Sequence, residues 1–484
     1  MSAVSVAAVD LGATSGRVMV GRVGPDTLEL EQAGRFPNGP LATPDGLHWN
    51  VQQLYAHVVE GLRSAAATET IASIGIDSWA VDYALMRGDR VLGEPFHYRD
   101  ERTAHGVELV HADEPFSLLY ARNGLQFLPF NTLYQLAVER EAGMLDVADR
   151  MLLVPDLIAW YLTGATVAES TNASTTGLLD VITKDWDGEL MDRLRLPRAI
   201  FPRLVQPGET IATVLPHVVA ATGLAETTPV VAVGSHDTAS AVVATPMTEP
   251  GGAYISCGTW GLVGVETETP VLSTAAREAN FTNEGGVDGR TRFLHNVMGL
   301  WLLNETVAAW SREDGAQVDL VALLGAAAEV TGEIPVFDAN DPRFSPPGDM
   351  SPRIAAYCEE HGMRAPQTRA EIARSIVESL ATAFAEAVRT ASSLSGQEVR
   401  RIHMVGGGSQ GELLCQRTAD LSGMPVVAGP IEATAIGNVL VQARALGAVG
   451  GTLESMRDLV ARAFSPRTYT PRAHAMSAPA STRI

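Results

Sequence analysis

The sequence predicts an α/β protein of two packed domains. Strand-like and helix-like apolar patterns alternate through 484 residues without long linkers. A strand, a glycine-rich turn and a second strand occur over 4–23 and again over 252–266, which suggests that one such hairpin opens each half. We expect an N-terminal domain over 1–245, a C-terminal domain over 246–466 and a flexible tail over 467–484.

Composition narrows the classes of function. Hydrophobic residues make up 46% of the chain and charged residues 19%, as in globular enzymes. The net charge of −21 repels a phosphate backbone, so no nucleic-acid partner is expected. No uninterrupted apolar run reaches membrane-spanning length, and the N-terminus lacks a signal-peptide pattern. We expect a cytoplasmic monomer or homodimer without membrane contact.

Cysteine and lysine usage excludes several kinds of site. Cys257, Cys358 and Cys415 are scattered, without the spacing of a disulfide framework or a zinc site. Lys184, in a polar stretch typical of a surface turn, is the only lysine in the sequence. P-loop enzymes need a lysine directly after their glycine loop, and protein kinases need one on a strand beneath the nucleotide. Both mechanisms are therefore excluded, and pyridoxal chemistry would have to use Lys184.

Several segments of the first half predict defined elements. Residues 73–86 predict a pair of strands that carries Asp77 and Asp82. Residues 130–143 predict an amphipathic helix that ends at a glycine, and 149–164 predict a short strand leading into a helix.

In the second half, Thr368 and Glu371 form a capping box before apolar residues at helical spacing, which predicts a long helix ending near Gly396.

The first hairpin carries a candidate phosphate-binding turn, made of Gly12, Ala13, Thr14, Ser15, Gly16 and Arg17. Small residues let the backbone approach a phosphate, and the turn's amides and hydroxyls can donate hydrogen bonds to it. Asp10, at the end of the preceding strand, is placed to hold a magnesium ion through water. An ordinary tight hairpin explains the same pattern. The spacing is not GxGxxG, which disfavours a dinucleotide site.

The sharpest candidate for catalysis is the polar segment from Ser235 to Thr238. It lies between an apolar strand and an Ala-rich helix, where α/β proteins usually keep their chemistry. Asp237 can accept the proton of a hydroxyl as it attacks a phosphate, with His236 and Thr238 binding neighbouring hydroxyls. A helix cap is the competing explanation for Asp237, and a structural histidine the competing one for His236.

Two glycine-rich turns of the second half are candidates for nucleotide binding. Gly258 and Thr259 form the turn of the second hairpin, and Gly406, Gly407 and Gly408 follow a predicted strand. Glycines supply backbone amides with no side chain in the way, so adenosine can lie against that backbone. A plain strand-to-helix turn is the alternative.

The ordered motifs together resemble the FGGY carbohydrate kinases, relatives of actin and of sugar kinases such as hexokinase, over nearly the whole chain. The segments that carry the resemblance are VDLGATSGRVM, SIGIDSWAVDY, YRDERT, LQFLPFNTLYQL, VGSHDTASAV, SCGTWGLVGVE, NEGG, NVMGLWLL, HMVGGGSQ and AGPIEATAIGN.

This resemblance implies two domains of the ribonuclease-H-like actin/hexokinase fold with a nucleotide and sugar cleft between them. It also implies that ATP and a ketose are the partners, that Mg²⁺ is the cofactor, and that the γ-phosphoryl group is transferred to O1 of L-rhamnulose. By motif, the catalytic base is Asp237. The implied ATP-binding residues are those of the first turn with Thr259, Asn304, Gly406 and Gly407, and the implied sugar-binding residues are Ala80, Asp82, His236, Asp237, Thr238 and Asn296.

Two positions depart from the family pattern. Ala80 stands where glycine is usual, which adds a methyl group beside the expected sugar, and Asn304 stands where glutamine is common in the nucleotide site. The sugar preference is therefore the open point. The alternatives are another ketose kinase of this fold, acting for example on xylulose, fuculose or ribulose, and a non-catalytic actin-like protein that binds nucleotide or sugar.

Overall fold

A computed structural model describes residues 3–472 of the chain. The chain forms two compact units, each built from several segments. Unit 1 comprises Met1–Thr248, Glu266–Phe293 and Glu432–Phe464, and unit 2 comprises Glu249–Val265, Leu294–Ile431 and Ser465–Ile484.

The first 248 residues contain thirteen strands and ten α-helices. The strands are β1 (Val4–Leu11), β2 (Ser15–Gly24), β3 (Thr27–Pro37), β4 (Leu41–Thr43), β5 (Gly46–His48), β6 (Ile71–Ser78), β7 (Tyr83–Arg87), β8 (Arg90–Val91), β9 (Arg150–Leu153), β10 (Ala168–Glu169), β11 (Leu204–Val205), β12 (Thr210–Thr213) and β13 (Pro229–Val231). The helices are α1 (Val51–Thr68), α2 (Thr103–Asp113), α3 (Phe116–Asn123), α4 (Thr132–Glu141), α5 (Met144–Val147), α6 (Val154–Thr163), α7 (Ser170–Ala173), α8 (Gly188–Arg193), α9 (Pro216–Thr222) and α10 (Asp237–Val243).

The remaining described residues add seven strands and eight α-helices. The strands are β14 (Gly252–Cys257), β15 (Trp260–Thr267), β16 (Thr282–Gly285), β17 (Thr291–Met298), β18 (Arg401–Val405), β19 (Val426–Ala428) and β20 (Arg467–Tyr469). The helices are α11 (Thr274–Glu278), α12 (Trp301–Asp314), α13 (Leu320–Ala328), α14 (Ser351–Glu360), α15 (Arg369–Ser395), α16 (Glu412–Ser422), α17 (Ala433–Ala445) and α18 (Leu453–Ala463).

The main sheet of unit 1 has the strand order β12-β13-β6-β1-β2-β3. Its three middle strands, β13, β6 and β1, run parallel, and β2 and β3 are added as antiparallel hairpin strands. The last six residues of β1 are all buried, as expected for a central strand covered on both faces. Because the carboxyl ends of parallel strands meet at one edge of a sheet, this arrangement gathers the chain segments that follow β1, β6 and β13.

Helix α17 packs closely against the helix that follows β13. A Cβ atom built on Gly437 would lie 1.8 Å from the carbonyl oxygen of Ser240 on α10, so only glycine permits this approach. Ten of the thirteen residues of α17 are buried. The segment 432–464 therefore belongs to unit 1, although it lies within the C-terminal domain expected from the sequence.

The sheet of unit 2 contains β15, β14, β18, β19 and β20 in that order. Strands β14 and β15 form the predicted second hairpin, with Cys257 opposite Gly261, and β18 pairs parallel to β14. The capping box of Thr368 and Glu371 is confirmed at the start of α15, which ends before Gly396.

Two expectations need correction. The segment 73–86 does form two strands, but β6 lies in the main sheet while β7 pairs with β8 and β9, since a bend at 79–82 separates them. The tail was expected from residue 467, but Arg467–Tyr469 pair with β19 and Tyr469 is buried. Residues 473–484 of the predicted tail lie outside the described residues.

Among residues 3–472, no helix is both long enough and apolar enough to cross a bilayer.

Asp156, in the first turn of α6, is a buried acid that costs stability at neutral pH. One carboxylate oxygen accepts a hydrogen bond from the amide of Glu169, and the other has no partner among the described residues. Burial and then the nearby charge of Glu169 raise the pKa of Asp156 well above its ordinary value. A carboxyl pKa that is raised by folding means that the folded state binds more protons, so stability falls as the pH rises above the unfolded value.

We expect Asp156→Asn to raise the Tm by about 2–8 °C at pH 8, because it removes this penalty while an oxygen remains to accept the Glu169 amide. The gain shrinks towards pH 4, where the wild-type carboxyl is protonated in the folded state and only about half ionised in the unfolded state. Scanning calorimetry across this pH range measures it, with the exposed Asp89→Asn as the control. A variant that is less stable than the wild type at every pH contradicts this account.

Candidate active site

Three carboxylates meet at the carboxyl edge of the unit 1 sheet. Asp10 on β1 lies directly opposite Asp77 on β6, and both are buried. The segment after β13 continues alongside, because the amide of Ser78 donates a 2.9 Å hydrogen bond to the carbonyl of Ser235. Burial and then the charge of Asp10 raise the pKa of Asp77, with a further contribution from Asp237. The edge is thus an acidic cluster whose members feel one another's charge.

Asp237 is the most accessible of these acids. It is the first residue of α10, and its side chain is 29% exposed. The cap position is His236, which makes no side-chain cap hydrogen bond, so capping does not account for the acid. The carboxylate accepts a 3.1 Å hydrogen bond from the Thr238 hydroxyl. Burial raises the pKa of Asp237; the charge of Asp10 adds to this rise and His236 opposes it.

His236 is held by two charged residues from the segment 266–293. Its Nδ1 lies 3.0 Å from Nη2 of Arg292 and 3.3 Å from Oε2 of Glu284, while its Nε2 faces Oδ1 of Asp237 at 3.6 Å. Arg292 is fully buried and donates through Nε to the carbonyl of Gly285. Burial alone would raise the pKa of Glu284, but the charge of Arg292 and the contact with His236 lower it overall. His236 is therefore buried with charged groups facing both of its ring nitrogens, and its predicted contact with the sugar stays a prediction.

The backbone of the 235–237 segment is anchored by the buried carboxylate of Glu169. One oxygen of Glu169 accepts from the amide and the hydroxyl of Ser235, at 3.0 and 2.7 Å. The same carboxylate accepts from the amide and hydroxyl of Thr171, whose Oγ1 in turn receives the amide of His236 at 3.3 Å. Helix α7 and the segment that bears Asp237 are thus fixed to one buried anion.

The candidate phosphate-binding turn joins β1 to β2. The amide of Gly12 donates to the carbonyl of Ser15, and Thr14 at the tip is exposed. Packing explains Gly16, because a Cβ there would lie 2.2 Å from the ring of Phe36. Ala13 and Ser15 are half-buried beside this tip.

Arg17 lies inside the protein framework rather than at the tip of the turn. Its Nε and Nη2 each lie 2.8 Å from Oδ2 of Asp10, and its Nη1 lies 2.7 Å from Oε2 of Glu432. Glu432 precedes α17, so Arg17 joins the acidic edge to the segment 432–464. The predicted contact of Arg17 with phosphate stays a prediction, whereas its contact with Asp10 is direct.

A chain of buried amides holds Asp77. Asn438 of α17 donates a 2.5 Å hydrogen bond to one carboxylate oxygen of Asp77, and Gln442 donates to Asn438. Ser73 on β6 donates to the carbonyl oxygen of Gln442 and closes the network. The other oxygen of Asp77 has no hydrogen-bond partner among the described residues.

Ala80 belongs to a tight turn between β6 and β7. The amide of Asp82 donates to the carbonyl of Ala80, and Val81 between them has a φ of 69°, which is unusual for a β-branched residue. The side chain of Ala80 is half-buried.

Asp82 follows this turn, and its side chain is held by its neighbours. Its buried carboxylate accepts four hydrogen bonds, from Trp49 Nε1, Trp79 Nε1, the Tyr98 amide and Gln135 Nε2. Burial raises the pKa of Asp82 to about 6, although these hydrogen bonds lower it. These contacts hold the turn in place, and the predicted contact of Asp82 with the sugar stays a prediction.

Unit 2 carries four of the residues predicted for ATP, Thr259, Asn304, Gly406 and Gly407, together with Asn296. The carbonyl of half-buried Thr259 accepts from the amides of Gly299 and Trp301, which ties the hairpin turn to the start of α12. Asn304 lies on the exposed side of α12, and Asn296 is half-buried on β17.

The three consecutive glycines have different reasons to be glycine. Gly406 has a φ of +80°, and a Cβ on Gly408 would lie 2.3 Å from Sγ of Cys257. Gly407 is exposed, and the nearest atom to a Cβ there is 3.8 Å away. Local structure therefore explains two of the glycines, and Gly407 is the one at which a Cβ would fit without a clash.

Sequence reasoning missed Glu169, Glu284, Arg292 and Asn438. Glu284 lies in the motif NEGG and Asn438 ends the motif AGPIEATAIGN. No local signal in either motif showed that these residues contact His236 and Asp77. Glu169 and Arg292 are 68 and 55 residues from Asp237 and lie next to no other candidate in the sequence.

The chain belongs to the FGGY family of carbohydrate kinases. The model of the N-terminal domain of this family matches residues 5–244, and the model of the C-terminal domain matches residues 253–446. The protein is accordingly a sugar kinase with a two-domain fold.

Two bacterial rhamnulokinases are similar to the chain over nearly its full length. Rhamnulokinases of Pectobacterium carotovorum and Bacteroides thetaiotaomicron are 42% and 40% identical to the chain. The first alignment covers 98% of this chain and 94% of the relative, and the second covers 96% and 95%.

Among solved structures, a ligand-bound xylulose kinase from Lactobacillus acidophilus matches with a TM-score of 0.78 and 16% identity, over 97% of this chain and 94% of that chain. Plasmodium falciparum glycerol kinase with ADP matches with a TM-score of 0.75 and 15% identity, over the same shares. These similarities establish the fold.

The acidic edge fits a hydrated Mg²⁺ that enters with a nucleotide. Asp10 and Asp237 offer hard oxygen ligands, and a buried oxygen of Asp77 beside them lacks a hydrogen-bond partner among the described residues. Mg²⁺ is usually held by one or two carboxylates together with phosphates and waters, not by an all-protein cage. Residues 3–472 contain no group of three or more His, Cys, Asp or Glu side chains with metal-binding geometry.

We expect Glu169→Gln to lower kcat by about 10-fold or more, because an amide oxygen replaces a carboxylate that accepts from Ser235 and Thr171. The substitution leaves the size of the side chain unchanged. Steady-state kinetics measure the effect, and Glu114→Gln, which alters a buried carboxylate paired with Arg193, is the control. Equal kcat values for the two variants contradict a positioning role for Glu169.

Proposed function

We propose that this protein phosphorylates L-rhamnulose at O1 with ATP, giving L-rhamnulose 1-phosphate for L-rhamnose breakdown, and that Asp237 is the general base. The observation that carries the proposal is the half-open Asp237 carboxylate at the acidic edge of a sugar kinase fold, with its pKa raised. The choice of sugar rests on near full-length similarity to rhamnulokinases.

In this proposal the sugar hydroxyl gives its proton to Asp237 as its oxygen attacks the γ-phosphorus. Phosphoryl transfer depends mainly on positioning and charge stabilisation, so a carboxylate that lies close to the hydroxyl is sufficient as the base. The Glu169 anchor holds the backbone around Asp237 and so limits its movement. The proposed sugar contacts, besides Asp237, are His236, Thr238, Ala80, Asp82 and Asn296.

ATP binding is assigned to residues of both units. The amides of Gly12, Ala13, Thr14, Ser15 and Gly16 and the side chain of Arg17 are proposed for the phosphates, with Thr259, Asn304, Gly406 and Gly407 for the rest of the nucleotide. Bound Mg²⁺ would neutralise charge on the phosphates, and Asp10 would hold it through water. Gly407, which is exposed and has no local reason to be glycine, is the favoured glycine for contact with adenosine. The proposed location is the cytoplasm.

We expect Asp237→Asn to lower kcat by about 10²-fold or more while the sugar still binds, because the amide keeps the shape but cannot accept the proton. A coupled ADP-release assay gives kcat, and calorimetry gives the affinity for the sugar. Asp89→Asn serves as an exposed control. Near-normal turnover by Asp237→Asn would refute the assignment of the base.

The raised pKa of Asp237 also predicts the pH dependence. Since only the ionised carboxylate acts as a base, kcat/KM should fall with decreasing pH through an apparent pKa above the ordinary value of about 4. The Thr238 hydroxyl donates to the carboxylate and lowers this pKa, so Thr238→Val should move the acidic limb to higher pH. An acidic limb at the same pH in both proteins contradicts this explanation.

A panel of sugars separates the remaining alternatives. We expect L-rhamnulose to give the highest kcat/KM among L-rhamnulose, L-fuculose, D-xylulose, L-ribulose and glycerol. A different best sugar would support another ketose kinase, for which Ala80 is the feature to test by Ala80→Gly. If no sugar is turned over with Mg-ATP, the protein is a non-catalytic binder of this fold.

A further inference from the structure

We propose that Arg292 fixes the tautomer of His236, so that His236 presents a hydrogen-bond donor, Nε2–H, to a substrate oxygen next to the hydroxyl that Asp237 deprotonates. Arg292 is thus a positioning residue for sugar recognition. The part of the proposal that concerns substrate rests on the proposed sugar kinase function, whereas the tautomer itself does not.

The hydrogen-bonding capacity of arginine determines the tautomer. A guanidinium group has only donors, and Nη2 of Arg292 lies 3.0 Å from Nδ1 of His236 with hydrogen-bond geometry. A hydrogen on Nδ1 would point at another donor across this distance. Nδ1 must therefore carry the lone pair, and the proton of the neutral ring must be on Nε2.

Glu284 is the competing partner, because Nδ1–H could donate to its carboxylate. Oε2 of Glu284 lies 3.3 Å from Nδ1, farther than Arg292, and this oxygen receives no hydrogen bond from the described residues. It lies 3.1 Å from Nη2 of Arg292, so its charge is balanced by the guanidinium. The contact with Arg292 is the shorter of the two and the one with hydrogen-bond geometry.

Arg292 is held rigidly enough to impose this choice. Its side chain is fully buried, and its Nε donates to the carbonyl of Gly285 at 2.9 Å, while Nη2 reaches both His236 and Glu284. The guanidinium keeps its charge at all relevant pH values, so the donor facing Nδ1 persists.

The consequence lies on the other side of the imidazole ring. Nε2 is 3.6 Å from Oδ1 of Asp237, so the site presents one donor and one acceptor side by side. The hydroxyl that loses its proton must face the acceptor, Asp237. A neighbouring substrate oxygen that can accept a hydrogen bond must face His236. Examples are the carbonyl oxygen of an open-chain ketose and a hydroxyl oxygen on a ring carbon of its cyclic form.

The test uses the full chain labelled with ¹⁵N in its histidine rings. Protonated and unprotonated ring nitrogens give well-separated ¹⁵N NMR resonances. The two resonances that disappear from the spectrum of His236→Asn are those of His236. We expect the wild type to show Nε2 protonated and Nδ1 unprotonated, and Arg292→Met to show the opposite, because Glu284 then accepts from Nδ1–H. Arg292→Lys, which keeps a donor, should retain the wild-type tautomer.

Kinetics provide the second readout. With the donor at Nε2 lost, Arg292→Met should raise the KM for sugar by about 10- to 100-fold while the KM for ATP stays unchanged. Arg457→Met is the matched control, because Arg457 is also buried and paired with a glutamate, Glu266. It should preserve the tautomer and the KM for sugar.

Nδ1 protonated in the wild type, or an unchanged tautomer in Arg292→Met, overturns the proposal. A correct tautomer in a protein that phosphorylates none of the sugars instead refutes the proposed function and leaves the role of Arg292 intact.

Discussion

The parallel pairing of β1, β6 and β13 is the constraint on which the site depends. Pairing in this register places Asp10 beside Asp77 and leads the chain after β13 to Asp237. Like charges in a partly buried edge repel one another, and burial disfavours each ionised form, as the raised pKa values of Asp77 and Asp237 indicate. The surrounding structure has to hold these acids in place against that repulsion.

It does so by giving each acid a different kind of support. Asp10 has the charge of Arg17, Asp77 has the neutral amide of Asn438, and Asp237 has only the Thr238 hydroxyl and the nearby His236. The acid with the weakest internal support is also the most exposed. A fully buried carboxylate has little access to a sugar hydroxyl, so the greater exposure of Asp237 favours it for proton transfer.

The sequence predicted the parts of this site that have a local signature. Asp237 follows an apolar strand and opens an Ala-rich helix, and the turn from Gly12 to Gly16 joins two apolar strands. Both features depend on neighbours in the chain, so both were predictable. The residues that hold these side chains come from distant segments. Arg292 contacts His236, and Asn438 contacts Asp77, only in the folded protein.

The same distinction explains why the surroundings of Asp82 and the position of the segment 432–464 were not predicted. Asp82 was expected to bind sugar because its motif resembles that of a family, but its burial among Trp49, Trp79, Tyr98 and Gln135 can be seen only in three dimensions. The close contact of Gly437 with Ser240 likewise brings 432–464 into unit 1. Composition and periodicity contain no record of such contacts.

The turn that contains Ala80 is held rigidly, and this affects how the proposed sugar contact responds to alanine in place of glycine. Val81 has a positive φ, which costs roughly 1–3 kcal/mol for a non-glycine residue and persists only where its neighbours enforce it. They do so here, because the Thr132 hydroxyl donates to the carbonyl of Val81 at 2.7 Å and the buried Asp82 carboxylate holds the next residue. A turn fixed on this side has little freedom to shift away from a new methyl group. In the proposed function, the sugar beside Ala80 therefore has to accommodate the added methyl group, and we expect the departure from glycine to affect the choice of sugar.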